Sequence, residues 1–511
     1  MEFTLLLWTI SILPIALLLF FISYLKLPSY LSAGLSLGLA AFLALTVFEM
    51  QPAQMAISAG KGTMLSLYVI LIIVGAVILF NIVNRAGGFD SMEIYINKLG
   101  GDSTLKLLGL SWAFSSFIQG ITGFGVPVAI VGAMLAGIGY KPIIALTTVL
   151  IGHSWAISFG SMGSSFYALQ LVTGLEPVRL GTVMALLFFM PIFTTGLFTV
   201  HVYGGFEAIK KQLKHIIPLS LAMGAMMLFA AWMGFPHIGS LLAGLTGSAL
   251  FLALLVLRTG ERVKLPQRVM SLKAALFPYM LLILSVLIAQ LPPLAALLPE
   301  WELAFSFPGF TTGLGFEVNP EPEFSPIGFF THPFIFLIIS SAAGLVFYRL
   351  KDHLQPKALQ AVLAESYSRA SSSVLTVFLL MILASLMNDS GMVYTFARGM
   401  ADFTGAFFPI ISPIIGILGA FLTGSNTSSN VLFGAFQIDA ASLLDYSRYM
   451  IASSQSIGGS LGSAIAPAKI LMGTAIVGLE GVEGEIVKKC LGYTLISGFL
   501  VGAVVLLLVQ I

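Results

Sequence analysis

The sequence predicts an all-α integral membrane protein of about 12–14 transmembrane or re-entrant helices, built as two structurally related halves of inverted sense. Three observations carry this. Of 511 residues, 58% are hydrophobic and only 9% charged, against roughly 25% charged in soluble domains. Mean hydropathy is +1.00. Two short polar stretches interrupt the apolar background, one in each half: Gln119-Gly120-Ile121-Thr122-Gly123-Phe124-Gly125-Val126-Pro127 and Thr423-Gly424-Ser425-Asn426-Thr427-Ser428-Ser429-Asn430. Bare backbone at membrane depth is tolerated only where it is buried in protein or lines a water-filled cavity. Paired interruptions therefore point to broken helices or hairpins at the midplane that hold a substrate.

Taken in order, the apolar run from Phe3 to Leu25 is too long for a signal-peptide core and has no positive flank before it, so it reads as a first span. Tyr30 to Phe48 and Thr63 to Val83 follow, and Ser91 to Lys106 is amphipathic and suits the interface. Leu107 to Ile118 and Val126 to Gly139 flank the first break, and each is too short to cross alone. Pro127 sits where a helix can begin. Ile143 to Met162 reads as one span with His153 and Trp155 near its middle, and Val178 to Val200, Ile216 to Met233 and Ile238 to Leu257 as three more. The second half runs through Ser373 to Met387, Met392 to Phe408 and Ile410 to Leu422 to the second break. It continues through Tyr446 to Gly459 and Ile465 to Val477, and closes with Leu491 to Val509. The helix after the second break is expected to restart near Asn430, with Asn426, Thr427 or Ser428 as its cap.

Lysine and arginine set the orientation. The loops with Lys210, Lys211 and Lys214, with Arg258, Arg262, Lys264, Arg268 and Lys273, and with Arg349, Lys351, Lys357 and Arg369 are basic and expected in the cytoplasm. Pro299 to Pro326, which carries Glu300, Glu302, Glu317, Glu321 and Glu323, then faces outside, as a solvated loop in preference to a cap over the entrance. The domain reading is an N-terminal half at 1–257, a basic linker at 258–274 and a C-terminal half at 275–511 with an extracytoplasmic loop at 296–327.

Polar groups stranded at membrane depth are costly and usually functional. Lys469, in Ala466-Pro467-Ala468-Lys469, either supplies positive charge to an anion, or stands in for a coupling cation, or snorkels from a helix end. His153 either relays a proton or is a neutral hydrogen-bonding residue. Asp389 and Arg398 are a candidate pair, or anchors at a segment end. Gln119 and Asn426 offer uncharged amides at the breaks, while Gly123 and Gly125 permit close backbone approach. Ser425, Thr427 and Ser428 add hydroxyls beside a helix start, a ready anion site. No zinc, phosphate-loop or nucleophile-elbow motif supports an enzyme or a cofactor. Gly160-Ser161-Met162-Gly163-Ser164 reads as helix packing. The net charge of +2 points to no nucleic acid, and the single Cys490 allows no internal disulfide.

The block Ser115-Ser116-Phe117-Ile118-Gln119-Gly120-Ile121-Thr122-Gly123-Phe124-Gly125-Val126-Pro127-Val128-Ala129-Ile130 resembles a block of the bacterial L-lactate permease family. The resemblance continues at Gly139-Tyr140-Lys141-Pro142, Phe159-Gly160-Ser161-Met162-Gly163 and Val172-Thr173-Gly174. It returns at Ser390-Gly391-Met392, Phe421 through Phe433 and Ile465-Ala466-Pro467. It implies uptake of L-lactate or a related small 2-hydroxy monocarboxylate such as glycolate, by proton symport, through a multi-pass protein of the plasma (inner) membrane. Ser425-Asn426-Thr427 is also similar to a substrate motif of elevator-type carboxylate transporters. The resemblance further implies Glu and Asp where this chain has Gln119 and Asn426, Asn where it has His153, and Ser-Pro-Gln-Ser where it has Ala466-Pro467-Ala468-Lys469. The expected partners are a small carboxylate, a proton or Na+, and the lipid bilayer, with a homo-oligomer left open. The alternatives are a carboxylate carrier with another coupling ion or none, and an anion channel.

Overall fold

The computed structural model describes residues 4–97, 102–123, 125–259, 269–289, 299, 301–479 and 481–509. Phe124, Glu300 and most of the expected basic linker (260–268) lie outside the described residues, as does the first part of the expected extracytoplasmic loop. Apolar runs become long helices: α1 (Leu5–Ser23), α2 (Ser29–Thr46) and α3 (Pro52–Arg85). The start of α3 is fixed by Pro52 in its first turn and by Gln51, whose backbone N–H donates to Gln54 Oε1 at 2.9 Å. Among the described residues eleven helices are long and apolar enough to cross a membrane, and a bent pair brings the number to twelve.

After α4 (Gly88–Asn97) the first break is built from α5 (Ser103–Leu108), a π-helical turn at Gly109–Phe114, α6 (Ser115–Ile121) and α7 (Val126–Gly137). On the N-terminal side α5, the π-helical turn and α6 run on without interruption from Ser103 to Ile121, longer than the expected Leu107 to Ile118, while α7 is the expected short segment, with Pro127 in its first turn. The expected single span Ile143 to Met162 is not formed. Instead α8 (Pro142–Gly152) stops at His153, and α9 (Ser164–Thr173) resumes at a bend of 41°. Ser161, Met162 and Gly163 have φ of +49°, +54° and +75°. Consecutive left-handed residues cannot continue a right-handed helix. The glycine- and serine-rich run expected to pack helices is thus a third break.

The two spans expected at Val178 to Val200 and Ile216 to Met233 are both present within α10 (Pro177–Trp232), divided by the non-helical Gly204 and Gly205. Gly205 has φ +63°, and the run folds back there, with Gly196 against Ile216 and Gly224 against Phe189. The lysine loop is helical because Glu207-Ala208-Ile209-Lys210-Lys211-Gln212 are strong helix formers. Next come α11 (Gly239–Thr259) and α12 (Leu272–Ala289).

The expected solvated loop contains two antiparallel strand pairs. β1 (Glu302–Phe307) pairs with β4 (Glu321–Gly328), and β2 (Phe310–Thr311) with β3 (Glu317–Val318). Alternating phenylalanines supply the cross-strand contact, with the Phe307 and Phe324 rings 5.4 Å apart. Gly313 N–H donates to Glu49 O and Gln54 Nε2 to Thr311 O, each at 3.0 Å, which docks the hairpins on the start of α3.

The second half holds α13 (Pro333–Leu350), α14 (Ala358–Asp389), α15 (Met392–Thr404) and α16 (Phe408–Thr423), then α17 (Asn426–Leu443), α18 (Arg448–Gly462), α19 (Pro467–Val477) and α20 (Glu483–Leu508). α14 begins at Ala358, not Ser373, so Arg369 belongs to a helix and not to the basic loop. α3 and α14 pack antiparallel along their lengths. Gly62 lies on the backbone of Met381 and Ile382, Asn81 Nδ2 donates to Ser366 Oγ at 2.9 Å, and Arg85 pairs with Glu365 at 2.5 Å. Asp389 is held by Lys61 and Ser58 of α3.

Candidate functional site

The second break starts at Gly424, whose φ of +77° ends α16. Ser425 is extended and caps α17, its Oγ accepting from Ser428 N–H at 3.4 Å. The helix therefore restarts at Asn426, four residues before the expected Asn430. The first-turn amides of Asn426 and Thr427 have no intrahelical acceptor and remain open.

Three helix starts meet around one cavity of about 300 Å³. Ser164 and Ser165 open α9, Asn426 to Ser428 open α17, and Ala468 and Lys469 stand in the first turn of α19, all on the cavity wall. Each start presents the positive end of a macrodipole, worth about half an elementary charge. Lys469, 8% exposed, adds a whole one. No carboxylate lines the cavity among the described residues.

The opposite wall is made of unbroken helices: Ser29 of α2, Ile73 of α3, and Arg369, Ser372, Ser373 and Thr376 of α14. Along α14 these polar residues fall at i, i+3, i+4 and i+7, one helix face. Exposure falls from Arg369 and Ser372 through Ser373 to the buried Thr376 and Val377. The mouth is therefore at the Arg369 end, where the guanidinium lies 4.8 Å from the centre of the Phe80 ring.

Of the residues the sequence singled out, Gln119, Ser425, Asn426, Thr427, Ser428 and Lys469 line this cavity together. Gly123 and Gly125 stand just behind it. Gly123, φ +62°, packs its Cα on Ser161 Oγ, and a Cβ at Gly125, φ +78°, would meet Met472 Sδ at 2.8 Å. His153 does not line the cavity. It caps α8, and its Nδ1 must donate to Val149 O at 2.5 Å because a carbonyl only accepts.

Both amides keep a buried side-chain oxygen with no hydrogen-bond partner, Gln119 Oε1 and Asn426 Oδ1, and they differ in what surrounds it. Asn426 turns inward: Nδ2 donates to Ser158 Oγ at 3.1 Å, and Oδ1 lies against Gly459. Around Asn426 a hydroxyl network ties the third break to α17 and α18. Asn430 Nδ2 donates to Ser165 O and Ser456 Oγ, both at 2.9 Å, Ser165 Oγ meets Thr427 Oγ1 at 2.9 Å, and Ile157 N–H donates to Ser460 Oγ at 3.1 Å. The third break, α17 and α18 thus form one hydrogen-bonded body facing the wall of α2, α3 and α14.

Sequence reasoning missed Ser164, Ser165 and the α14 stripe. The stripe's signal was its period, a run of Arg and hydroxyl residues at helical spacing inside an apolar segment.

The L-lactate permease family model matches residues 8–511. The L-lactate permease of Escherichia coli K12 is 28% identical over 526 residues, covering 97% of this chain and 94% of its own. The glycolate permease GlcA of the same strain is 27% identical over 541 residues, covering 98% and 95%. The solved structure of MtrF from Neisseria gonorrhoeae overlaps 97% of each chain at a TM-score of 0.48 and 13% identity, too distant to carry an argument.

Proposed function

This chain belongs to the L-lactate permease family, and we propose that it takes up L-lactate or a related small 2-hydroxy monocarboxylate such as glycolate across the plasma membrane by proton symport. One observation carries the reading: three helix starts and Lys469 converge on a cavity without a carboxylate. Such a site repels cations and rewards a single small anion. Its volume lies at the small end for ligand sites, roughly 300–1,000 Å³. The substrate carboxylate takes the open amides of α17 and the Lys469 ammonium, with Ser425 and Ser428 beside it. The 2-hydroxyl donates to Gln119 Oε1, which otherwise stays buried and unsatisfied, a state that costs about 1–3 kcal/mol. Transport follows from movement of the hydrogen-bonded body against the wall of α2, α3 and α14, which exposes the site to each side in turn.

A second reading, with Na+ or no ion accompanying the anion, is favoured by the cavity's chemistry, since Gln119 and Asn426 are amides and no acid is at hand to carry a proton. Uptake of labelled lactate and glycolate into proteoliposomes, with and without an imposed proton gradient, tests both. Saturable uptake accelerated by the gradient is expected. Absence of saturable uptake of either acid under both conditions refutes the substrate assignment.

A further inference from the structure

The seam between the moving body and its wall has a second opening. A cavity of about 70 Å³ is lined by Lys61 and Leu65 of α3 and Asp389 of α14 on one side, and by Val172 of α9 and Ala435 of α17 on the other. These are the helices that border the main cavity. On α3, Lys61 lies twelve residues from Ile73, about 18 Å at 1.5 Å per residue. On α9 and α17, seven residues separate Ser165 from Val172 and Ser428 from Ala435, about 10 Å. The small cavity is thus at the far end of the seam from the Arg369 mouth, and the β1–β4 hairpin covers it.

Lys61 is 3% exposed and has two carboxylates for one ammonium. Asp389 Oδ2 is at 3.6 Å and Glu321 Oε1 at 2.9 Å, and the Phe324 ring of the same hairpin has its centre 5.7 Å away. Asp389 is buried, 4% exposed, and also accepts from Ser58 Oγ at 2.8 Å. Charge balance inside the protein needs Asp389 alone. Glu321 is the surplus acid, its side chain 41% exposed, and it is delivered from outside the bundle by a strand that begins between Pro320 and Pro322. Its departure into water leaves no unpaired buried charge behind, whereas loss of Asp389 does.

We propose that Lys61 is a receiving site for the substrate carboxylate at the outer end of the seam, and that Glu321 is a built-in carboxylate occupying it until substrate displaces it. This rests on the monocarboxylate reading above and on the positive-inside orientation, which puts the hairpin outside. The incoming anion meets an ammonium already aligned with the seam, while the Arg369 stripe serves the opposite end. A purely structural ion pair offers no reason for a second, half-hydrated carboxylate on a lysine that already has a buried partner.

The test is sided kinetics in proteoliposomes sorted by orientation, with lactate as the probe. Glu321→Gln removes the competitor and should lower KM from the hairpin side by roughly two- to fivefold, the range of a half-exposed ion pair, with KM from the opposite side unchanged. The pair Lys61→Gln/Asp389→Asn, which leaves no lone buried charge, should raise KM from the hairpin side about tenfold or more and leave the other side alone. Unchanged KM in Glu321→Gln, or equal shifts on both sides in either variant, overturns the site while leaving the transporter reading intact. No wild-type uptake of lactate or glycolate overturns the functional reading, and this site with it.

Discussion

Replacing Lys469 by glutamine separates a ligand-facing charge from an anchor. The residue is 8% exposed, forms no ion pair among the described residues, and shares its cavity with three helix starts. All the fixed charge nearby has one sign. An empty site therefore carries uncompensated positive potential, a cost that only a bound anion offsets. Lys469→Gln should act in opposite directions on the two states. The empty protein should unfold at a higher temperature, because a buried unpaired charge is gone. The bound state should lose a charge-assisted contact of about 1.5–3 kcal/mol, or roughly 10- to 150-fold in affinity.

Calorimetric titration of lactate into detergent-solubilised protein reads the second effect, and thermal unfolding with and without lactate reads both. Wild type should gain thermal stability steeply with lactate, as RT ln(1 + [L]/Kd) requires, and the variant should gain little. Lys469→Arg should recover part of the affinity, since a planar fork presents its donors differently from a compact ammonium. Wild-type affinity together with a lower unfolding temperature in Lys469→Gln would refute the reasoning and make the lysine a packing residue.

Two further substitutions address the rest of the site. Gln119→Leu should weaken lactate by roughly two- to tenfold, the worth of a neutral hydrogen bond, and leave propionate, which lacks the hydroxyl, unaffected; equal losses for both acids in competition binding would remove the hydroxyl contact. Gly123→Ala should abolish transport at normal membrane yield, because φ is +62° and the new Cβ would strike Ser161 Oγ, while a left-handed residue with a side chain costs about 1–2 kcal/mol; wild-type uptake rates in this variant would show that the break tolerates relaxation.

The spans and two of the three breaks were legible because both signals are local. Apolar length marks a crossing, and a run such as Thr423 to Asn430 is too polar to be lipid-facing. The third break was hidden because Ile143 to Met162 has the composition of a span. Only the left-handed backbone of Ser161, Met162 and Gly163 ends the helix, and glycine and serine are equally at home in helix packing. The partners of Lys61 were illegible for another reason. Asp389 lies 328 residues further on and Glu321 260 residues further on, and pairing at such separation is decided by how α3, α14 and the hairpin pack. Arg369 was misplaced because the positive-inside rule counts arginines without asking whether a helix has already begun. Asn426 was legible as a residue of the break, but the partner of its Nδ2, Ser158, lies 268 residues earlier and is set by how the third break packs on α17.

The charge of the site also constrains the coupling. Loaded, Lys469 and a monocarboxylate sum to zero; empty, the carrier returns with one positive charge. A cycle of this kind without a cation moves one negative charge inward per turn, against an inside-negative potential. At 100 mV the opposing work is about 2.3 kcal/mol, which depresses the equilibrium inside-to-outside lactate ratio by roughly fiftyfold. Such a protein would favour export. Accumulation of lactate by such a cycle requires one proton or Na+ per anion, held by a group other than a carboxylate, since none lines the cavity among the described residues. Proteoliposomes clamped with a potassium gradient and valinomycin, at equal pH on both sides, should therefore hold a lactate ratio near one at every voltage and build a gradient only when pH or Na+ differs across the membrane. A ratio that falls with voltage and ignores both gradients removes symport from the proposal, and leaves the site's own positive charge as the compensation for the substrate.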